Sequence, residues 1–445
     1  MHRLEWGRLP GSPTHFMNAT MSPEAVAEPR PPVRPVVTAK PAPAAKEQGT
    51  RQRLLSLDAY RGLIMITLAF NGFGLAALAK SHLATEPGST FWAQVFHHFE
   101  HAEWVGCGYW DLIQPSFMFM VGVSMAYSYV KRQAGGDSYG RMLAHAMWRS
   151  LILIFLGIFL TSNGAKSTGW AFMNVLSQMG LGYTFLFLCW GRGVRVQSLV
   201  AASLLVGTWL LYVTYPGAGL AVASGGDAVG VSKEWATENL AQVSSAWHKN
   251  ANIGHAIDVW LLNLMPVKEA FVFNKGGYQT INFIPSLATM IFGLMCGELL
   301  RREWDDRRKL KTLVLAGVAG LVLGMVLDAT GICPLVKRIW TPSWALYSTG
   351  WCCLFLAGFY GVVDMAGYRK WAYPLLVVGA NSIAIYCMSM TLKPWCARTL
   401  QTHLGQDVFK TFGEINAPVV QAVLVGLMFW LACWYLYRHK IFIRI

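Results

Sequence analysis

Ten stretches of about twenty predominantly apolar residues, separated by short basic clusters, leave this 445-residue chain few ways to fold. A helix rising 1.5 Å per residue needs about twenty residues to cross a hydrocarbon layer roughly 30 Å thick. The stretches fall near 60–80, 107–130, 146–163, 172–190, 197–214, 282–300, 312–331, 343–365, 372–392 and 416–437. Hydrophobic residues make up 54% of the chain and charged residues 13%, about half the charged share of a soluble domain. Mean hydropathy is +0.38. The expected fold is an all-α integral membrane protein of about ten transmembrane helices.

The basic clusters orient the spans. Arg51 and Arg53 precede the first, Lys131 and Arg132 follow the second, and Arg192 and Arg195 follow the fourth. Arg301, Arg302, Arg307 and Arg308 follow the sixth, Arg369 and Lys370 the eighth, and Arg438 and Lys440 the tenth. Ten crossings put every cluster on one side, cytoplasmic by the positive-inside rule, together with both termini. The net charge of +14 is therefore spread over loops, which argues against nucleic acid as a partner. It suits topology, contacts with membrane lipids, or a phosphate-bearing cytoplasmic ligand.

Residues 1–52 are rich in Pro, Ala, Arg and Glu and are expected to form a disordered cytoplasmic segment ahead of a transmembrane domain over 53–445. They hold no apolar h-region, so no cleavable signal peptide is expected, and Met17 and Met21 are alternative starts. The longest loop on the opposite, outer side is 215–281, with Trp235, Trp247, His248, His255, Asp258 and Trp260. Its tryptophans suit either stacking on sugar rings or anchoring at the interface. Nine cysteines are scattered without a CxxC pair or a Cys/His metal spacing, and no metal is expected.

Ionisable and amide groups within spans are costly and point to function. Asp58 and Arg61 share a helix face three residues apart, so either they cap and anchor the first span or Arg61 offers its fork to a phosphate. Asn71 lies ten residues further, about 15 Å along a helix and so near the midplane, between Phe70 and Gly72. It serves either as interhelical glue or toward a ligand. His101 precedes the second span on the outer side, and Asp111 is expected one or two turns inside that span. Imidazole is the side chain best matched to general-base work near neutral pH, and a buried carboxylate would orient it. His97 and His98, on an interfacial-helix-like stretch from Phe91 to Glu100, are the alternative imidazoles.

Several motifs occur in a telling order. Ser56-Leu-Asp-Ala-Tyr-Arg-Gly62 is followed by Asn71-Gly-Phe-Gly74, by His101-x-x-Trp104-x-Gly106, and by Asp111-Leu-Ile-x-Pro115. Asn174-Val-Leu-Ser-Gln178, Tyr278 to Gly297, Trp340-Thr-Pro-Ser-Trp344 and Gly379-Ala-Asn381-Ser continue the series. From about Arg53 onward the chain resembles the heparan-α-glucosaminide N-acetyltransferase family of membrane acetyltransferases and its bacterial relatives. The family usually has Gln-Arg where this chain has Gln178-Met179.

The resemblance implies transfer of an acetyl group from cytoplasmic acetyl-CoA to an amino sugar or glycan on the periplasmic side. It implies catalytic roles for His101, Asn71 and Asp111; Arg61, Arg149, Gln178 and Asn381 are the expected donor contacts, and Trp104, Asp258 and Trp260 the expected acceptor contacts. Lys131 and Arg132 are further cations at the donor's mouth. Direct transfer and an acetyl-histidine relay both fit, as do N- and O-acetylation. A bacterial inner membrane is the expected location, and a homodimer is common in the family. The alternative from another class is a transporter of amino sugars, given the glycine- and proline-interrupted midspans.

Overall fold

A computed structural model of the protein describes residues 54–443. The expected disordered segment, with Arg51 and Arg53, lies outside the described residues. Among the described residues every regular element is helical. The helices are α1 (Leu55–Ala69), α2 (Leu75–Thr85), α3 (Thr90–Phe99), α4 (Ile113–Ala134), α5 (Tyr139–Thr161) and α6 (Val175–Cys189). They continue with α7 (Gly193–Val213), α8 (Leu220–Ala223), α9 (Lys233–Leu240), α10 (Ile253–Asn263), α11 (Phe283–Arg301) and α12 (Asp306–Ala329). Last come α13 (Pro342–Phe359), α14 (Tyr373–Gly379), α15 (Ser382–Thr391), α16 (Lys393–Leu404) and α17 (Ala417–Arg438). Side chains stop the backbone from fraying at several starts: Ser138, Asn174, Asn252 and Thr341 each accept a first-turn N–H.

Six helical segments are long and apolar enough to cross a membrane, and eight if each of two bent pairs counts once. The expected second and fourth spans are the ones short of that standard. α4 has the length, at 22 residues, and is less apolar, with Gln114, Ser116, Ser124 and Ser128 along it. α6 is apolar apart from a few residues such as Gln178 but has only 15 residues. Both polarity and shortness are tolerable where neighbouring helices, not lipid, surround the segment.

Small residues let these helices touch backbone to backbone, which is how apolar helices associate where lipid removes the hydrophobic drive. α4 and α11 run parallel at the centre, Gly122 lying against the carbonyl of Met290 and Gly293 against that of Phe119. α11 also packs on α7 and α6, α12 on α13, α5 on α6, and α1 on α14 through Gly62 and Gly379. Two-thirds of the spanning stretch of α11 is buried, 67% against 17% for α12, so α11 is core and α12 is rim. Rim faces such as Trp148, Leu151, Phe155 and Phe159 of α5 are exposed and apolar, as a lipid-facing surface requires.

Two chain breaks shape the interior. The first expected span is not continuous: α1 and α2 meet at 48°. Between them Asn71, Gly72, Phe73 and Gly74 all adopt left-handed backbone (φ 50° to 72°). Glycine takes that conformation freely, whereas Phe73 costs about 1 kcal/mol there. α14 and α15, the expected ninth span, meet at 66° around Asn381. The second span also starts later than its apolar pattern indicated. Residues 109–112 form a 3-10 turn and α4 begins only at Ile113, so Asp111 sits at the mouth of the helix and not inside it.

Candidate active site

The loop from Glu100 to Gly108 leads into that 3-10 turn, and one carboxylate organises it. Asp111 is 1% exposed. Its Oδ2 accepts the N–H groups of Ala102 and Gly108, both at 3.1 Å, which folds the loop around it. Its Oδ1 faces His101 Nδ1 at 2.7 Å. Burial on its own would raise this acid. The hydrogen bond from His101, the charge of Lys337 and the Gly108 N–H outweigh burial and pull it down to about 2. An anionic Asp111 only accepts, so the 2.7 Å contact calls for a proton on Nδ1, a nitrogen that the Lys337 ammonium also approaches at 3.0 Å. That tautomer leaves the lone pair on Nε2, on a side chain one-third exposed. Burial holds the imidazole below its ordinary value, with Lys337 and Arg338 pushing the same way and Asp111 opposing. The neutral form of the ring is thereby favoured.

The sequence pattern did not single out the second strand of this loop's support. Gly106 N–H donates to Leu335 O at 2.9 Å, which ties the loop to residues 330–341. From that segment the Lys337 ammonium reaches to 3.0 Å from His101 Nδ1 and 3.3 Å from Asp111 Oδ1. Arg338 donates to Ala102 O through Nε and Nη2, and to Gly276 O through Nη1. In the sequence these two cations look like one more basic pair, and on the outer side. A positive-inside count has no use for them there, and that misfit was the available signal.

The left-handed turn at Gly72 approaches the same neighbourhood from the other side. A methyl group at Gly72 would meet Phe99 and Trp110, each at 3.2 Å, and the Trp110 ring lies 6.3 Å from that of His101. Asn71 itself is exposed in its left-handed turn. Behind it, Lys393 Nζ donates to Leu68 O at 2.9 Å, placing a cation on the last carbonyls of α1.

The other expected site residues have engagements of their own. Arg61 bonds Asp58 at 3.2 Å and Ser124 at 2.6 Å. Arg149 donates to the Tyr183 hydroxyl at 3.2 Å. Gln178 donates to the carbonyls of Gln279 and Thr280, linking α6 to the mouth of α11. Both amide atoms of Asn381 are taken by the backbone of Ile441 and Ile443. Trp104, expected at the acceptor, is buried instead, its indole N–H donating to Trp247 O at 3.0 Å. Asp258 is also turned inward, both oxygens accepting the Thr280 N–H. Trp260 remains 65% exposed. Trp104 and Asp258 thus pack within the protein's own core.

A helical bundle with apolar outer faces defines a multi-pass membrane protein, and at one end of it an imidazole rests on a buried carboxylate. No family model matches the chain. It is 22% identical over 433 residues to heparan-alpha-glucosaminide N-acetyltransferase of Mus musculus, covering 89% of this chain and 61% of that protein. Against the Homo sapiens enzyme of the same name it is 22% identical over 439 residues, covering 88% and 60%. The chain is thus a distant relative of heparan-alpha-glucosaminide N-acetyltransferase, spanning about three-fifths of the length of the relatives it matches.

Proposed function

We propose that the protein is a transmembrane acetyltransferase that moves an acetyl group from cytoplasmic acetyl-CoA to an amino sugar or glycan on the opposite side. The observation that carries this reading is the neutral His101 imidazole, held at 2.7 Å by the buried Asp111 with Nε2 free. His101 Nε2 takes a proton from the acceptor amine as its nitrogen attacks the thioester carbonyl. Asn71 donates to the oxyanion as it forms. The carbon–sulfur bond then breaks, the amide stays on the sugar, and the imidazolium returns its proton to the departing thiolate. Asp111 stabilises the imidazolium while it lasts, and keeps the ring aimed.

The geometry of α4 supports donor and acceptor meeting from opposite ends. Its 22 residues separate Asp111 from Lys131 and Arg132 by about 30 Å. A polyanionic nucleotide fits the cationic end, where Arg61 and Arg149 stand among hydroxyl and aromatic partners. Between the two ends polar groups line the α1–α4 contact. Tyr60 bonds Ser116 at 2.7 Å, and Thr67 meets the Tyr109 hydroxyl at 3.0 Å just below Asp111. A pantetheine arm, neutral and rich in amides, suits such a lining. Gln178 and Asn381 enter this reading as supports of the bundle around the arm, and Trp260 as an exposed indole for the acceptor. We place the chain in a bacterial inner membrane with ten crossings and both termini cytoplasmic, counting α4, α6 and each bent pair as spans.

The test uses purified protein in detergent with acetyl-CoA and glucosamine, read by release of the coenzyme A thiol and by mass of the acetylated sugar. Wild-type protein is expected to turn over, and His101→Ala to lose all measurable transfer while eluting as the folded species. Full turnover by His101→Ala removes the base from the mechanism. Absence of thiol release from the wild type with any amino-sugar acceptor removes the activity itself.

A further inference from the structure

A carboxylate 2.7 Å from an imidazole ordinarily draws a second proton onto the ring, because the resulting ion pair is favourable. A base must avoid that fate, since an imidazolium has no lone pair to offer. In this site a third group intervenes. Lys337 is 94% shielded from solvent at its side chain, 3.3 Å from Asp111 Oδ1 and 3.0 Å from His101 Nδ1. Its position is fixed by a tight turn: Trp340 N–H donates to Lys337 O, and Thr341 Oγ1 accepts from Val336 N–H and donates to Pro334 O. Oδ1 therefore faces the ring nitrogen at 2.7 Å and the ammonium at 3.3 Å at once.

Resting on the acetyltransferase reading, we propose that Lys337 is a positioning residue that compensates the charge of Asp111, so that the carboxylate fixes the tautomer of His101 without charging the ring. The carboxylate and ammonium together are neutral, and a third charge on the imidazole would sit 3.0 Å from the ammonium. Arg338 pushes the ring the same way, with a smaller effect than Lys337. Arg338 is engaged by Ala102 O and Gly276 O, while Glu100 and Glu103, on the ring's own loop, are exposed to water. With Lys337 gone, Asp111 alone would face the ring and the imidazolium would be favoured.

The measurement is the pH dependence of carbethoxylation of His101 by diethylpyrocarbonate, followed by mass spectrometry of its peptide on the intact detergent-solubilised protein. The reagent needs only the neutral ring, so neither donor nor acceptor enters. Wild-type protein is expected to show a midpoint at or below about 6.5, the ordinary imidazole value. Lys337→Met should raise the midpoint by about 1–2 pH units, and Lys337→Arg should leave it near the wild type. The acid limb of acetyl transfer should move in parallel. An unshifted midpoint in Lys337→Met overturns the proposal. So does a wild-type midpoint well above 7, which needs no variant to be folded; Lys337→Gln serves if the methionine variant aggregates. Failure of the acetyltransferase reading looks different, as the midpoint would still shift while His101→Ala kept its turnover or no acceptor was acetylated.

Discussion

α4 and α11 lie side by side at the centre of the bundle and open in the same manner. Each begins from a 3-10 turn, carries a proline in its first turn (Pro115 and Pro285), and has an aspartate 1% exposed at its mouth. The chemistry at the two mouths is nevertheless opposite. Asp111 meets an imidazole and an ammonium and is drawn down to about 2, whereas Asp258 meets the uncharged Thr280 and burial pushes it up to about 6. Around Asp258 the remaining partners are neutral: Tyr212 donates to Gln279, and Gln279 to Asn252. Equal burial thus gives two acids of different kinds, and the cations decide which one keeps its charge well below neutral pH. Arg338 stands between them, its guanidinium on Ala102 O and its own carbonyl accepting from Asn282 at 2.8 Å. The mouth of α11 is scaffolding for the mouth of α4.

The largest expected effect comes from making the first mouth resemble the second. Asp111→Asn keeps the size of the side chain and leaves an oxygen for Ala102 and Gly108. Its amide NH2 then faces Nδ1, which forces that nitrogen to accept and moves the ring proton to Nε2. The base is lost with the fold intact. Acetyl transfer should fall by at least about 100-fold, measured as thiol release under saturating donor. Activity within a few-fold of wild type would mean that the carboxylate does not set the tautomer.

A smaller loss is expected from the turn that faces the site from α1. Asn71→Ala removes one donor to the oxyanion and should lower kcat by about 10- to 100-fold with little change in KM, since the bond matters only once charge has developed on the carbonyl oxygen. A change confined to KM would assign Asn71 to substrate binding instead.

How much of this contrast was legible beforehand follows from the physics of each element. The apolar runs announced the helices, because length and hydropathy are local properties of the chain. The pairing of His101 with Asp111, ten residues apart, was one of two roles open to that carboxylate, since spacing alone does not guarantee contact. The break at Asn71 was only half visible: Asn-Gly-Phe-Gly permits a left-handed turn, but nothing local says that α1 must stop there. Lys337 was not legible, because it comes to His101 from 236 residues away through a turn secured by Thr341. Asp258 and Trp104 misled for the opposite reason. Their residue types advertise ligand contacts, and only the folded loop reveals that Thr280 and Trp247 have claimed them.

The smallest effect on activity, and the cleanest check on the second mouth, is expected from Asp258→Asn. The sign follows from linkage. An acid whose folded-state value lies at about 6 against about 3.8 in the unfolded chain contributes stability that is full below pH 3.8 and fades as pH rises through 6. At neutral pH the wild type therefore carries an uncompensated buried anion costing about 2–3 kcal/mol relative to the neutral form. Asparagine is neutral at every pH and its oxygen still accepts from Thr280. Asp258→Asn should thus melt higher than wild type at pH 7.5, match it at pH 4.5, and transfer acetyl groups at close to the wild-type rate. The measurement is a thermal-unfolding series across that pH range in one detergent. Should the variant instead lose stability at pH 7.5, the ionised carboxylate has a cationic partner, and the two mouths are chemically alike after all.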